Sequence, residues 1–545
     1  MCGFAVVISK KNKIQHSLIK IAEEELRSRG PSSQTHYLSD DTYIYQSVLS
    51  IQTKPTHHNN LASLPEDYDL LLYNGEIYDD HSFSSDTEYL KSGNLEEILG
   101  ECDGMFSVAT ISKKGNQRKI AAYRDIIGEK RSFYYDSSSL FVLASTPSFI
   151  YKVLREYDEE ILVNETALKD YFVTRHYISN STGIRGIYQL PPGHKLTYSN
   201  YLDIERIWSP RSYLNKEMLH HCNMMTPAQY AIELEKLLCN TLRKMQRTVR
   251  SHVKVASIVS GGVDSSLVSY FLDQIGVDVK YGLTLTFGTK DKVALNAHKL
   301  FDKLSFQQIE YNVKTKEYYN SYLNCLDLCC SPIHSHDFAS ANILYGLIFS
   351  PGILYGGDGA DELFLGYKYY QNCIRSEYAM PVRNSFIFSI AKDIQDDYDY
   401  AFDFFLVNGY STKDAHIKSC SFVDFFHQLP ATNLLMGDLI GSDHGIECRT
   451  PFTRKDIVTF AINSPVELLS DKQPLKKLFS QSFGIYPYPK QGFSGHPNEL
   501  IRYLPKGPYT SYNIFGHHTL DREILWKYIN TEFFLLNLTN SQTVT

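Results

Sequence analysis

The stretch KVASIVSGGVDSSLVSYFLDQIG at residues 254–276 decides how the second half of the chain folds. It reads as a buried strand, a glycine turn and a helix. Gly261 and Gly262 let the backbone approach a bound oxyanion, while Ser260, Ser265 and Ser266 offer hydroxyls and amides at a helix N-terminus, where the dipole favours negative charge. The result is a phosphate cradle. Asp264 sits badly beside phosphates unless a cation lies between them, and Mg2+ held by one or two carboxylates plus substrate phosphates supplies one. The loop lacks the GK[ST] ending of a Walker A motif, and an SGG turn by itself reads equally as a plain helix N-cap.

Outward from this loop, long helical segments such as TPAQYAIELEKLLCNTLRKMQRTV (226–249) alternate with short buried runs such as KVASIVS and YGLTLTFG. That alternation predicts an α/β unit built on a parallel sheet. A second glycine loop, GGDGADELFLGYKYY at 356–370, follows another apolar run, FSPGILY. Its glycines around Asp358 can approach a nucleotide, and Asp361 adds a second oxygen ligand for a metal. Read blandly, Asp361 and Glu362 are acidic residues in the first turn of a helix, which leaves the glycines unexplained.

The first 195 residues differ. Short β-like runs (FAVVIS, YDLLLYNGEIY, MFSVATIS, KIAAYRD, SLFVLAST) are separated by helical stretches such as HSLIKIAEEELRSR, an α+β layout. A turn-rich segment, PPGHKLTYSNYLDIERIWSPRSYLNKE, marks the expected boundary, giving domains at 2–195 and 226–510 and a tail at 511–545 of no clear pattern. Two domains suit 545 residues, because single cores stop growing at roughly 250–300. The chain opens MCGFAVV. Loss of Met1 would place a thiol and an α-amine on Cys2, a nucleophile and base in one residue, although a lone cysteine there is more often accidental.

Composition excludes several classes. A net charge of -7 offers no general attraction for nucleic acid or an anionic membrane. The 40 tyrosines are scattered and read as packing residues. Ten cysteines at irregular spacings, with Cys325, Cys329 and Cys330 the closest group, form no zinc pattern and read as structural thiols. The best apolar stretch, ILYGLIFSPGILYGG, is broken by Pro351 and glycines, and FAVVI is too short for a signal sequence. A cytoplasmic, reduced location is expected.

SGGVDSS followed by GDGADELFLGY resembles the synthetase domain of the glutamine-hydrolysing asparagine synthetases, an ATP-pyrophosphatase fold. LPPGHKL (190–196), HGIECRTPF (444–452), KKLF (476–479) and KQGFSG (490–495) extend the resemblance to about residue 505. In the first domain MCGF, RSRGP, YNGEIY, SDTEYL, DGMFS and YRDIIGEK occur in that family's order. The resemblance implies a class II glutamine amidotransferase domain, an αββα N-terminal-nucleophile sandwich, ahead of the α/β domain. It implies Cys2 as nucleophile, Asn74 and the Gly75 N-H as oxyanion hole, Glu76 as an orienting residue, and Asp86 on the substrate amine. Ile258, Ser260, Gly261, Gly262, Asp264, Ser265, Phe287, Gly356 and Gly357 would contact ATP, and Asp264 and Asp361 would hold Mg2+. Lys476 is the expected catalytic lysine; read alone, it is equally a solvated residue beside Lys477.

The implied reaction is ATP-dependent amidation of a carboxylate, aspartate by default, through an acyl-adenylate with release of AMP and pyrophosphate. Ammonia from glutamine would reach it through an internal channel. Small-molecule substrates and a homodimer are the expected partners. Three positions depart from the family. The arginine that clamps the glutamine carboxylate falls on Val48, leaving Arg27 and Arg29 as nearby cations. The acceptor segment CCSPIHSHDFASAN has Ser331 where an acidic residue is usual, with His334 or Asp337 as replacements, and PFTR carries Arg454 where an aspartate is usual. These departures keep open another acid, free ammonia as donor, or a non-catalytic nucleotide-binding scaffold.

Overall fold

Strand Cys2–Ser9 is buried along its whole length, which requires cover on both faces. The computed structural model describes residues 2–52, 61, 64–115, 117–174, 177, 180–199, 201–287, 292–333, 335, 337–375, 391–487, 527, 529–536 and 538. Among them, an antiparallel sheet runs in the order Ser33–Leu38, Thr42–Val48, Cys2–Ser9, Leu140–Ala144, Phe133–Asp136 and Tyr188–Gln189. Ala5 and Val7 face one way, packing with helices Ser17–Leu26 and Pro147–Glu156 through Leu18, Ile21, Phe149 and Val153. Phe4, Val6 and Ile8 face the other way, onto Leu70, Leu72, Ala109 and Ile120 of a second antiparallel sheet. Leu71, Tyr73, Val108 and Ala121 on that sheet's outer face pack with Leu90 and Leu99 of short helices. The four layers are the expected αββα sandwich.

The second sheet runs Leu202–Arg206, His194–Tyr198, Gln117–Arg124, Gly104–Lys114, Tyr68–Ile77. Its edge strand, Leu202–Arg206, lies within the turn-rich segment read as the boundary and pairs with His194–Tyr198 of the first unit. The strand was hidden because its residues are only half-buried or exposed, with no apolar run to announce it.

The second unit carries a wholly parallel sheet in the order Gln307–Asn312, Val279–Thr286, Lys254–Ile258, Gly352–Tyr355, Ile446–Arg449. Lys254–Ile258 is first in sequence and central in space, so connections leave it in opposite directions on its two sides. Ligands bind at such a switch point, beyond the carboxyl ends of the strands. Both glycine loops leave the sheet there, since Ser257 and Tyr355 are register partners.

The units share their interior. Leu49, Ile51, Tyr78 and Met105 of the first join Leu234, Val259, Phe425 and Phe452 of the second in one apolar cluster. The tail is drawn in too: Asn530 is fully buried and accepts from Tyr322 Oη at 2.8 Å and Ile333 N at 3.2 Å. All ten cysteines are unbridged. Among the described residues no group of three or more His, Cys, Asp or Glu side chains could hold a metal, and no helix is long and apolar enough to cross a membrane.

Candidate active sites

Cys2 opens the first strand and is buried. Its backbone N donates to Asn74 Oδ1 at 2.9 Å, which leaves the buried Asn74 Nδ2 with no hydrogen-bond partner among the described residues. A donor held dry beside a thiol is the arrangement an oxyanion hole requires. Burial raises the thiol pKa, and the charge of the chain's amino terminus opposes that shift. Gly75 follows Asn74 on the same strand and faces Phe106 across the sheet.

The groups expected to hold glutamine are engaged elsewhere. Val48 is the direct register partner of Cys2, so its side chain shares the nucleophile's face and offers no charge there. Arg29 Nη2 pairs with Asp438 of the second unit at 3.1 Å, and both side chains are buried. Asp86 Oδ2 accepts from Gln52 Nε2 at 3.0 Å, Tyr73 Oη at 3.2 Å and Ile77 N at 3.1 Å, while Oδ1 meets His81 Nε2 at 3.1 Å. Glu76 pairs with Arg449 and accepts from Thr248, both in the second unit. Burial pushes the Glu76 carboxyl up, with Arg449 opposing.

At the switch point, a cavity of about 160 Å³ is lined by Ile258, Ser260, Gly262, Asp264 and Ser265 from the first glycine loop, and by Gly357, Asp358, Asp361 and Glu362 from the second. The loops touch: a Cβ on Gly357 would come within 2.7 Å of Asp264 Cβ and 2.8 Å of Ser265 N, so only glycine fits. Gly261 links two lining residues, and Gly356 lines the neighbouring cavity described below. Phe287 does not line this cavity; its ring packs on Tyr318 with centroids 6.2 Å apart.

A buried cation, Lys472, stands between the two loops. Its Nζ lies 2.5 Å from Asp264 Oδ2 and 2.8 Å from Asp361 Oδ1. Although burial alone would lower its pKa, the two carboxylates hold the ammonium well above the usual range. Lys476, the lysine expected here, points outward to Asp471 at 2.6 Å. Asp471 and Lys472 both adopt left-handed backbone, with φ of 54° and 56°, and this kink turns Lys472 inward just before helix Gln473–Phe483. Gly366 makes room, because a Cβ there would overlap Lys472 Cε and Asp361 Oδ1. Two carboxylates converging on one positive charge beside a phosphate cradle are also a donor set that fits Mg2+, a hard cation with oxygen ligands.

A second, smaller cavity of about 30 Å³ lies between the halves, lined by Met105, Glu129 and Lys130 of the first and Gly356, Asp358, Asn433, Asp438 and Thr450 of the second. It has room for one or two water-sized molecules. Ile258, Tyr345, Asp358 and Asn433 line both cavities. Burial raises the Asp358 carboxyl, and the bond it accepts from Asn433 Nδ2 at 2.9 Å opposes that shift. Asp358 had been read only as part of a glycine-rich loop; nothing in the spacing shows that it stands between two cavities.

Comparison with known proteins decides the family. An asparagine synthase model matches residues 240–495 and a glutamine amidotransferase domain model matches residues 1–208. The chain is a divergent member of the glutamine-hydrolysing asparagine synthetase family. It is similar to a putative glutamine-hydrolysing asparagine synthetase 1 of Methanocaldococcus jannaschii, at 23% identity over 86% of this chain and 81% of the relative. A glutamine-hydrolysing asparagine synthetase 2 of Bacillus subtilis is 25% identical over 68% of this chain but only 52% of its own length. One from Zea mays is 23% identical over 88% and 72%. An enzyme of this carbon-nitrogen ligase kind is thereby established.

Within this synthetase family member, the unusual acceptor-side residues have structural tasks. Ser331 Oγ accepts from Gly183 N at 2.7 Å, tying the synthetase half to the glutaminase half. Asp337 opens helix Asp337–Gly346, its Oδ2 accepting from Ser335 Oγ at 3.0 Å, and lies outside the cavity lining. Arg454 reaches back to Asp103 Oδ1 at 3.3 Å and to Glu129, both in the glutaminase half. His334 and the KQGFSG segment lie outside the described residues.

Proposed function

We propose that the chain amidates a carboxylate, with aspartate the default acceptor and glutamine the nitrogen source, through two half-reactions joined by the small cavity. The supporting observation is that Asp358 and Asn433 line both that cavity and the nucleotide cavity. In the glutaminase half, the Cys2 α-amine left by removal of Met1 takes the thiol proton, the thiolate attacks the glutamine carboxamide with the oxyanion held by Asn74 Nδ2 and the Gly75 N-H, the C–N bond breaks as ammonia leaves with that proton, and water hydrolyses the thioester to glutamate. In the synthetase half, an oxygen of the acceptor carboxylate attacks the α-phosphorus of ATP and pyrophosphate leaves. Ser260, Gly262 and Ser265 carry phosphate oxygens, and Lys472 balances charge developing on phosphate and on the later tetrahedral centre. Mg2+, when bound through Asp264 and Asp361, screens the polyphosphate. Ammonia displaces AMP, and the proton it gives up passes to the Asp358 carboxylate, which lines both cavities.

Amide-labelled glutamine, aspartate and ATP test this reading: labelled asparagine and pyrophosphate should form together. Cys2→Ala should lose the glutamine-dependent product and keep the ammonium-dependent one; equal loss of both would refute the division of labour. A second reading, with free ammonium as the working donor, is favoured by Val48 opposite Cys2 and by the four donors already on Asp86. Product from ammonium with none from glutamine would select it. No pyrophosphate from either donor with aspartate would point to another acid.

A further inference from the structure

Arg449 is the last residue of strand Ile446–Arg449 and touches both sites at once. Its backbone carbonyl accepts from Gly356 N at 2.9 Å, at the start of the second nucleotide loop. The next residue reinforces this, Thr450 Oγ1 donating to Asp358 O at 2.7 Å. The guanidinium turns the opposite way. Nε donates to Glu447 Oε1 at 2.8 Å, Nη1 to Met245 O, and Nη2 to Glu76, one residue beyond the oxyanion pair Asn74 and Gly75. Tyr78, two residues further along, lies between two synthetase-half cations, with Arg449 Cζ 5.7 Å and Arg454 Cζ 4.7 Å from its ring. Both members of the Arg449 and Glu76 pair are fully buried, so neither can drop its partner without leaving a charge stranded.

We propose that Arg449 is a positioning residue that couples the two active sites: movement of the nucleotide loop when ATP binds is passed through its backbone and guanidinium to Glu76, and sets the geometry of the oxyanion strand. This rests on the two-site function above. A planar fork with three fixed donors transmits displacement in a way a flexible lysine does not.

The test reads Cys2 directly. Alkylation of Cys2 by iodoacetamide, followed by peptide mass spectrometry, is timed with and without Mg-ATP in the full-length protein. ATP should change the wild-type rate at least about threefold, and Arg449→Lys should bring the ratio close to one. Glu76→Gln, which leaves the backbone bond to Gly356 in place, should do the same, and it serves should the lysine variant fail to fold. Initial rates should agree: in Glu76→Gln the ratio of glutamine hydrolysis with ATP to that without should collapse while ammonium-dependent pyrophosphate release persists. An unchanged alkylation ratio in a folded variant, or no effect of ATP on wild type, overturns the proposal. A wild-type ATP effect that the variants abolish, without amidation of any tested acid, refutes the functional reading and leaves the coupling standing.

Discussion

At the scale of single residues, the informative contrast is between two lysines four positions apart. Lys472 stands between Asp264 and Asp361, and Lys476 pairs with Asp471 nearer the surface. Lys472→Ala should therefore lower the rate of pyrophosphate release by about 100- to 1,000-fold, the cost typical of a lost charge-stabilising donor. Lys476→Ala should stay within about threefold, since pairs of that kind contribute little. Steady-state pyrophosphate assays with ammonium as donor distinguish them, and the reverse order of effects would return Lys476 to the site. The difference between the two placements has a physical source. The two lysines are about one helical turn apart, and the left-handed kink at Asp471 and Lys472 turns the first of them inward. Cys2, Asn74, Asp264 and Asp361 stand out in the sequence because each lies in a recognisable local motif. Lys472 does not, because its placement between two carboxylates depends on backbone handedness.

At the scale of elements, the two glycine loops were readable from composition alone, and their meeting was not. Their contact follows from strand order, which places Lys254–Ile258 beside Gly352–Tyr355 despite the long connection between them. The closing glycine of the second loop carries a sharp expectation. Gly366→Ala should push Lys472 off Asp361 and lower turnover by about 100-fold, since displacements near an ångström cost that much. Glutamine hydrolysis without ATP should be untouched, and an equal loss there would mean that the substitution had damaged the fold instead. The edge strand Leu202–Arg206 escaped the sequence reading for the opposite reason. Its half-exposed side chains give no apolar pattern, although the backbone pairing is complete from His194 to Arg206.

At the scale of the whole molecule, charge joins the halves and makes their union sensitive to acid. Asp397 of helix Lys392–Val407 receives Arg206 in two contacts, at 3.2 and 2.5 Å, Arg211 at 2.9 Å and His427 at 3.0 Å. Burial pushes its carboxyl up, but His427 and Arg206 hold it down at about 2, below the ordinary 3.8. A depressed carboxylate stabilises the fold above its unfolded value and loses that contribution as pH falls through the folded one. About 2 kcal/mol should thus be present above pH ~4 and vanish toward pH ~2. Thermal unfolding of wild type and Asp397→Asn should converge over that window, and a pH-independent gap between them would refute the assignment. The tail binds the halves differently. Asn530 Nδ2 donates to Tyr171 Oη of the first unit at 2.5 Å while its Oδ1 serves Tyr322 and Ile333 of the second. Asn530→Ala would strand these buried groups and should cost about 3 kcal/mol, measured by denaturant unfolding, whereas a cost near zero would show that the tail only rests on the surface. One amide side chain thus ties together three segments far apart in sequence, so loosening any one of them leaves buried polar groups of the other two without their partner.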